Sequence, residues 1–267
     1  MSARFAAAPR SCYPADSMRR VLIVKTGRTL PNLLARRGDS DAWIAAAMGS
    51  DPASLDVVPV FEGAPLPDPA DVAGVVVTGS PAMVSDRAPW SVRTAAWLER
   101  AVADQTPVFG ICYGHQLLAD ALGGRAGANP RGREMGTVEV ELLPEAAVDP
   151  LFSATPRRIR AHTTHLETVL ELPAGARVLA RSDADRYHAV AFAPRAWGVQ
   201  FHPEFDADVM RGYLLERREV LRSEGRDPDA MLRDAQECQE STALLRRFAG
   251  LVREATVSPR TASGNRR

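Results

Sequence analysis

The chain of 267 residues carries 33 Lys and Arg against 33 Asp and Glu, and 45% of it is apolar. This supports a globular protein with a sizeable core, while the balanced charge excludes an overall field that would gather nucleic acid or an anionic membrane surface. No apolar run reaches the length of a membrane-spanning helix and the N-terminus lacks the apolar centre of a signal peptide, so a soluble, cytoplasmic protein is predicted. Cys12, Cys112 and Cys238 are odd in number and lack C-x-x-C spacing, which gives neither a disulfide framework nor a zinc knuckle.

Residues 1–17 are rich in Ala, Pro and Ser without periodicity and are expected to form a loose extension, with Met18 as an alternative start. A single domain is expected over 18–255, followed by a polar, frayed tail over 256–267. Within the domain, short β-branched runs at Val21–Lys25, Asp56–Val60, Gly74–Thr78 and Val108–Ile111 alternate with helical patterns at Asp41–Met48 and Ser91–Val102. Strands that are continuous apolar runs separated by helices predict an α/β fold: an open, mostly parallel central sheet with helices on both faces. From Gly136 the run TVEVELL alternates strictly, and further strand-like runs at Arg177–Ala180, His188–Phe192 and Trp197–Phe201 follow with turns between them. These predict antiparallel strands added to the same sheet. Helical patterns resume over Asp206–Arg222 and Asp229–Arg253.

The segment PVFGICYGHQLLADALGG places Cys112 between Gly110 and Gly114, at the junction of a predicted strand and a helix over Tyr113–Leu122. Ligands of open α/β sheets bind at the carboxyl ends of the strands. A Gly-x-Cys-x-Gly junction there has the form of a nucleophile elbow, whose helix N-terminus favours an anionic sulfur and offers N–H groups to an oxyanion. The spacing alone fits equally a buried, inert thiol.

A thiol nucleophile needs a base. His202 in GVQFHPEF follows a strand-like run, Pro203 enforces an extended turn, and Glu204 is near enough to orient the imidazole. His115 follows the elbow directly and suits a structural role. His162 and His165 form an H-x-x-H pair with no further ligand at supporting spacing, so no metal is predicted. His188 has no constellation around it, and Cys238 reads as a helix-packing residue.

Together, PVFGICYGHQLLADALGG and WGVQFHPEF resemble the class I glutamine amidotransferases of the Cys-His-Glu type, and among them the amidotransferase domain of GMP synthase and its stand-alone relatives. The resemblance extends from about Met18 to the helix after Phe205 and implies a flavodoxin-like fold. It implies that Cys112 attacks the side-chain amide of glutamine to give a glutamyl thioester and ammonia, that His202 is the general base and acid, and that Glu204 holds its tautomer. It implies an oxyanion hole from the backbone of Tyr113 and of the loop Gly79–Ser80, where Ser80 stands in place of the family's second glycine. Gln116 matches a residue that holds the substrate. TTHLETV resembles the family's Ser-His-Gly-Asp loop, with Thr164 and His165 at substrate-contacting positions, Leu166 in place of Gly and Glu167 in place of Asp.

No cofactor is implied, and no P-loop or Rossmann fingerprint is present. The implied partners are glutamine and a separate synthetase or other ammonia-accepting protein. Two alternatives use the same resemblance: a hydrolase of another γ-glutamyl amide or peptide, and a catalytically silent, amidotransferase-like protein that binds a partner.

Overall fold

The computed structural model describes residues 19–257, so the predicted N-terminal extension with Cys12, the Met18 start and residues 258–267 of the tail lie outside it. The chain runs β1 (Arg20–Lys25), α1 (Pro31–Arg37), α2 (Ser40–Met48), β2 (Leu55–Pro59), β3 (Val72–Val77), α3 (Pro89–Ala103), β4 (Val108–Ile111), α4 (Tyr113–Ala121), β5 (Arg125–Ala128) and β6 (Glu134–Leu142). It continues through β7 (Arg158–His165), β8 (Glu167–Glu171), β9 (Arg177–Arg181), β10 (Ala189–Ala193), β11 (Ala196–Val199), α5 (Ala207–Glu216), α6 (Arg218–Ser223), α7 (Pro228–Asp234) and α8 (Gln239–Val257).

Nine strands form one sheet in the order β2-β1-β3-β4-β11-β10-β9-β6-β7, and β5 pairs with β8 apart from it. The five strands from β2 to β11 are parallel, whereas β10, β9, β6 and β7 extend the sheet antiparallel. The α/β architecture predicted from the pattern is therefore the one observed. Because β11 joins β4 edge to edge, the two halves of the chain share one sheet.

The continuous apolar strands divide by alternation between two cores. Ile23, Val76, Phe109 and Val199 face α2 and α8, with Ile44, Met48, Leu245 and Phe248. Leu22, Val24, Val75, Val77 and Val108 face α3 and α4, with Trp97, Leu98, Leu117 and Leu118. A side chain such as fully buried Phe248, packed on Phe109 at 5.5 Å between ring centroids, contributes about 1.5–3 kcal/mol by burial.

Four details differ from the sequence expectation. The pattern Asp206–Arg222 breaks at Arg217 into α5 and α6, and Asp229–Arg253 breaks into α7 and α8 around Cys238. These breaks let α5, α6 and α7 close on one another over Met135, with Met210, Leu214, Leu221 and Ala235 inside. The segment 163–169 is not a loop: Thr164 and His165 end β7, and Glu167 starts β8 after a single-residue break at Leu166. Leu166 has no left-handed backbone, so the position asks for no glycine. Helix α8 runs to Val257, so the first two residues of the expected tail are helical.

Candidate active site

Four adjacent parallel strands deliver the site at their carboxyl ends. Thr26 follows β1, Gly79 and Ser80 follow β3, Cys112 follows β4, and Gln200, His202 and Glu204 follow β11. The chain reverses its strand order around β1 and β3, the switch point at which open α/β sheets form their crevice.

Cys112 has φ 50° and ψ −100°, a left-handed conformation that a non-glycine residue holds only under local constraint. The two glycines beside it create that constraint. A Cβ on Gly110 would lie 2.5 Å from the Gly114 carbonyl oxygen, and a Cβ on Gly114 would lie 2.5 Å from that of Val77. Only glycine lets β4, the first turn of α4 and β3 approach so closely. The Cys112 N–H donates to the Val199 carbonyl at 2.8 Å, tying the elbow to β11.

His202 is fixed from several directions. Its Nδ1 pairs with Glu204 Oε1 at 2.8 Å, and its backbone N–H donates to the His162 carbonyl at 2.8 Å. Its ring stacks on Phe205 with centroids 4.2 Å apart, and Phe205 stacks in turn on Tyr213. Nε2 has no hydrogen-bond partner among the described residues. The Cys112 sulfur lies close enough to the ring to favour its protonated form, although it makes no hydrogen bond of good geometry to Nε2. Burial by itself would lower the imidazole pKa, but the Glu204 carboxylate and then Cys112 outweigh it and hold it well above the ordinary histidine value.

The loop after β3 explains Ser80. Its hydroxyl donates to the Thr26 carbonyl at 2.8 Å and accepts from the Ala82 N–H at 3.1 Å. Thr26 Oγ1 donates to the Gly79 carbonyl at 2.9 Å. Ser80 has no left-handed backbone, so a serine replaces glycine there and pins the loop with its side chain. Gly79 is restricted by its neighbour instead, since a Cβ there would lie 2.8 Å from His202 Cε1. The N–H groups of Gly79 and Ser80 meet no acceptor among the described residues. Tyr113, first in α4, has no intrahelical acceptor for its N–H, and its hydroxyl is fixed on Ser91 at 2.5 Å.

These groups line a pocket of about 140 Å³ whose wall includes Gly79, Ser80, Cys112, Tyr113, Thr164 and His202. Gln116, Arg28, Tyr213 and Arg217 also reach it. Gln116 is engaged by protein groups, for its Nε2 donates to the Glu167 carbonyl at 2.7 Å and to Gln200 Oε1 at 3.1 Å. Its Oε1 meets no donor among the described residues.

Of the remaining histidines, His115 is neutral, with its pKa lowered to about 4 by burial, and it packs against Phe192 and Gly198. His162 is likewise lowered to about 4, by burial and by His202, and bonds Thr137 Oγ1 at 3.1 Å. The H-x-x-H pair does not converge, because residues three apart on β7 face opposite sides.

His165 instead meets His188 and Glu134, and these three are the described residues whose spacing suits a metal. Both Nε2 atoms lie 2.8 Å from Glu134 Oε2, while His165 Nδ1 lies 2.9 Å from the Glu167 carbonyl and Ser182 Oγ donates to Glu134 Oε1 at 2.6 Å. A carbonyl and a carboxylate only accept, so both ring nitrogens of His165 face acceptors. Burial would raise the Glu134 pKa, but the two imidazoles overcome this and hold the carboxyl far below its ordinary value. The three ligand atoms are thus already engaged with one another in a buried hydrogen-bond network.

Gln200 and Phe205 are at the site without being singled out by the motifs. Gln200 had a signal, as the polar residue inside the apolar run WGVQF.

The class I glutamine amidotransferase family model matches residues 41–220, and the chain belongs to that family. It is 35% identical over 147 residues to one subunit of a glutamine-hydrolysing GMP synthase of Pyrococcus abyssi, covering 53% of this chain and 73% of that one. It is 36% identical over 184 residues to a glutamine-hydrolysing GMP synthase of Aeropyrum pernix, covering 69% of this chain and 32% of the relative's length. A γ-glutamyl peptidase 5 of Arabidopsis thaliana is 28% identical over 170 residues, 62% of this chain and 67% of that one. In fold, the chain matches a glutamine amidotransferase structure from Thermotoga maritima with a TM-score of 0.67 at 21% identity, covering 91% of this chain and all of that one. No helix among the described residues is long and apolar enough to cross a membrane.

Proposed function

We propose that the protein hydrolyses the side-chain amide of glutamine with Cys112, His202 and Glu204. The observation that carries this reading is the strained Cys112 at a strand end beside a buried His202–Glu204 pair, opening on a small pocket with free backbone N–H groups. The Cys112 thiolate attacks the amide carbon, and the carbonyl oxygen takes the negative charge toward the N–H groups of Ser80 or Gly79 and of Tyr113. His202, protonated and held by Glu204, gives its Nε2 proton to the departing nitrogen, so the C–N bond breaks and a glutamyl thioester and ammonia form. Water then adds to the thioester while His202 takes its proton, and the thiolate leaves with release of glutamate. Gln116, Thr164 and His165 line the pocket, and on this reading Gln116 Oε1 and the backbone of Thr164 and His165 hold the amino-acid end of the substrate.

Archaeal relatives are named as one subunit of a glutamine-hydrolysing GMP synthase, which suggests a separate synthetase chain as the user of the ammonia. A second reading, hydrolysis of another γ-glutamyl amide or peptide, is favoured by the γ-glutamyl peptidase relative and by Arg217 at the pocket, which suits a further carboxylate. Purified protein assayed with glutamine and with a panel of γ-glutamyl peptides separates the two. Release of ammonia and glutamate that disappears in Cys112→Ser is the expected result. Turnover retained in that variant would sink the mechanism, and absence of all turnover together with no labelling of Cys112 by a glutamine-like diazo-ketone would leave the silent partner-binding alternative standing.

A further inference from the structure

Gln200 is fully buried one residue beyond β11, with its side-chain amide beside the nucleophile of the proposed reaction. Its Nε2 lies 3.5 Å from Cys112 Sγ, and its Oε1 accepts from Gln116 Nε2 at 3.1 Å. The direction of this amide follows from a chain of bonds. The Glu167 carbonyl can only accept, so the group of Gln116 that reaches it at 2.7 Å must be its NH₂. The second hydrogen of that NH₂ points at Gln200 and must meet an oxygen. The NH₂ of Gln200 is thereby turned toward the sulfur.

We propose that Gln200 is a catalytic residue that donates an N–H to the Cys112 sulfur and stabilises it as the thiolate, with Gln116 as the positioning residue that fixes the polarity of the Gln200 amide. The two protonation states of the sulfur have different partners. A thiol can turn its proton toward the Thr164 carbonyl, 4.0 Å away. A thiolate has nothing to donate and is instead met by the Gln200 amide, opposite in sign to that carbonyl. The same donor steadies the sulfur again when it leaves the thioester. Gln116 accordingly serves the nucleophile as well as the substrate.

This assignment rests on Cys112 being the nucleophile, and its test reads the sulfur without using glutamine. The rate of alkylation by iodoacetamide is followed against pH in the intact protein, with Cys112 identified by peptide mapping. Other titratable or charged groups facing the site are Tyr113 of α4, His202 and Glu204 after β11, Tyr213 of α5, His165 and Glu167 of β7 and β8, and Arg28, Arg133 and Arg217; Gln200→Met alters none of them and nearly keeps the side-chain volume. Its alkylation profile is expected to move up by about one pH unit, a tenfold loss of reactive sulfur at a fixed pH near neutrality, or about 1.4 kcal/mol. Gln116→Met is expected to move it in the same direction by less, because the Gln200 amide is then free to turn over.

An unmoved profile in folded Gln200→Met overturns the proposal. If that variant does not fold, Gln116→Met decides alone, an upward shift supporting the proposal and no shift overturning it. Absence of glutamine turnover in wild type with the shift intact would remove the glutaminase reading and leave Gln200 in place. Turnover with no shift would do the reverse.

Discussion

Gly79→Ala tests the geometry of the site most directly, because it adds one methyl group and keeps every backbone N–H. The new Cβ would sit 2.8 Å from His202 Cε1, 3.6 Å from Nδ1 and 3.8 Å from Cys112 Cβ. Carbon atoms in contact rest about 3.5–4.0 Å apart, so ring and loop must separate by about 0.7 Å. The ring has nowhere to go, being held by Glu204 at 2.8 Å and backed by the Phe205 face. The loop is pinned to Thr26 by Ser80 and by the Thr26 hydroxyl. Misplacing a reacting group by 1 Å costs about a hundredfold in rate, so kcat is expected to fall by about 30-fold. Overpacking should also cost about 1–3 kcal/mol of stability. Steady-state release of ammonia, with circular dichroism and a denaturant melt, measures both. Ser80→Ala is the control: it loses two hydrogen bonds of about 1 kcal/mol each but adds no clash, and should lose only a few-fold. A folded Gly79→Ala protein with kcat within about twofold of wild type would refute the account of how the His202 ring is held.

Three further outcomes follow from the structure. The folded pKa of His202 is raised above the ordinary value of 6.5, so the native state holds its proton more tightly than the unfolded chain. That stability is complete below the ordinary value and is lost as pH rises toward the folded value, by up to about 1.4 kcal/mol per pH unit; urea melts of wild type and His202→Gln at several pH values should show this slope in wild type alone. Removing Glu134 leaves His165 and His188 buried without their shared carboxylate, and Glu134→Ala should cost about 3–5 kcal/mol in the same melts. Because the folded pKa of Glu134 is depressed, its contribution is present above the ordinary carboxylate value and fades as pH falls below it. Gly110→Ala brings a methyl to 2.5 Å from the Gly114 carbonyl oxygen, where both sides are backbone; a loss of at least about 1–3 kcal/mol is expected, read as a lowered Tm.

The alternation of apolar strands with helical patterns was enough to read an α/β sheet from the chain, because burial on both faces leaves continuous apolar runs such as Val75–Val77 and Val108–Ile111. The elbow around Cys112 was also legible. A strained strand-to-helix turn that must pack against a neighbouring strand can tolerate only glycine at 110 and 114, and that leaves a local mark. His202 and Glu204 stand out for a similar reason, since a two-residue spacing across Pro203 brings imidazole and carboxylate within reach of each other.

Other features depend on partners far away in sequence, and the local pattern carried little of them. Strands β5, β7 and β8 were not separately recognised, since their pairing lies in distant segments. His188 appeared isolated until β10 was laid beside β9 and β6, which brought it to Glu134 and His165. Ser80 looked like a departure from a glycine loop, and only the Thr26 carbonyl across the gap between β1 and β3 gives its hydroxyl a purpose. Gln116 looked free to meet a substrate until the Glu167 carbonyl, 51 positions on, claimed its NH₂.

The sequence by itself determined the parallel core and the identity of the groups at its strand ends, because periodicity, close glycines and short spacings act within one turn or one strand. The tertiary structure decided which hydrogens those groups give and which they receive. A hydrogen bond's direction is set by the partner group, and the groups that orient Gln200, His165 and Ser80 come from segments that meet only when the chain is folded.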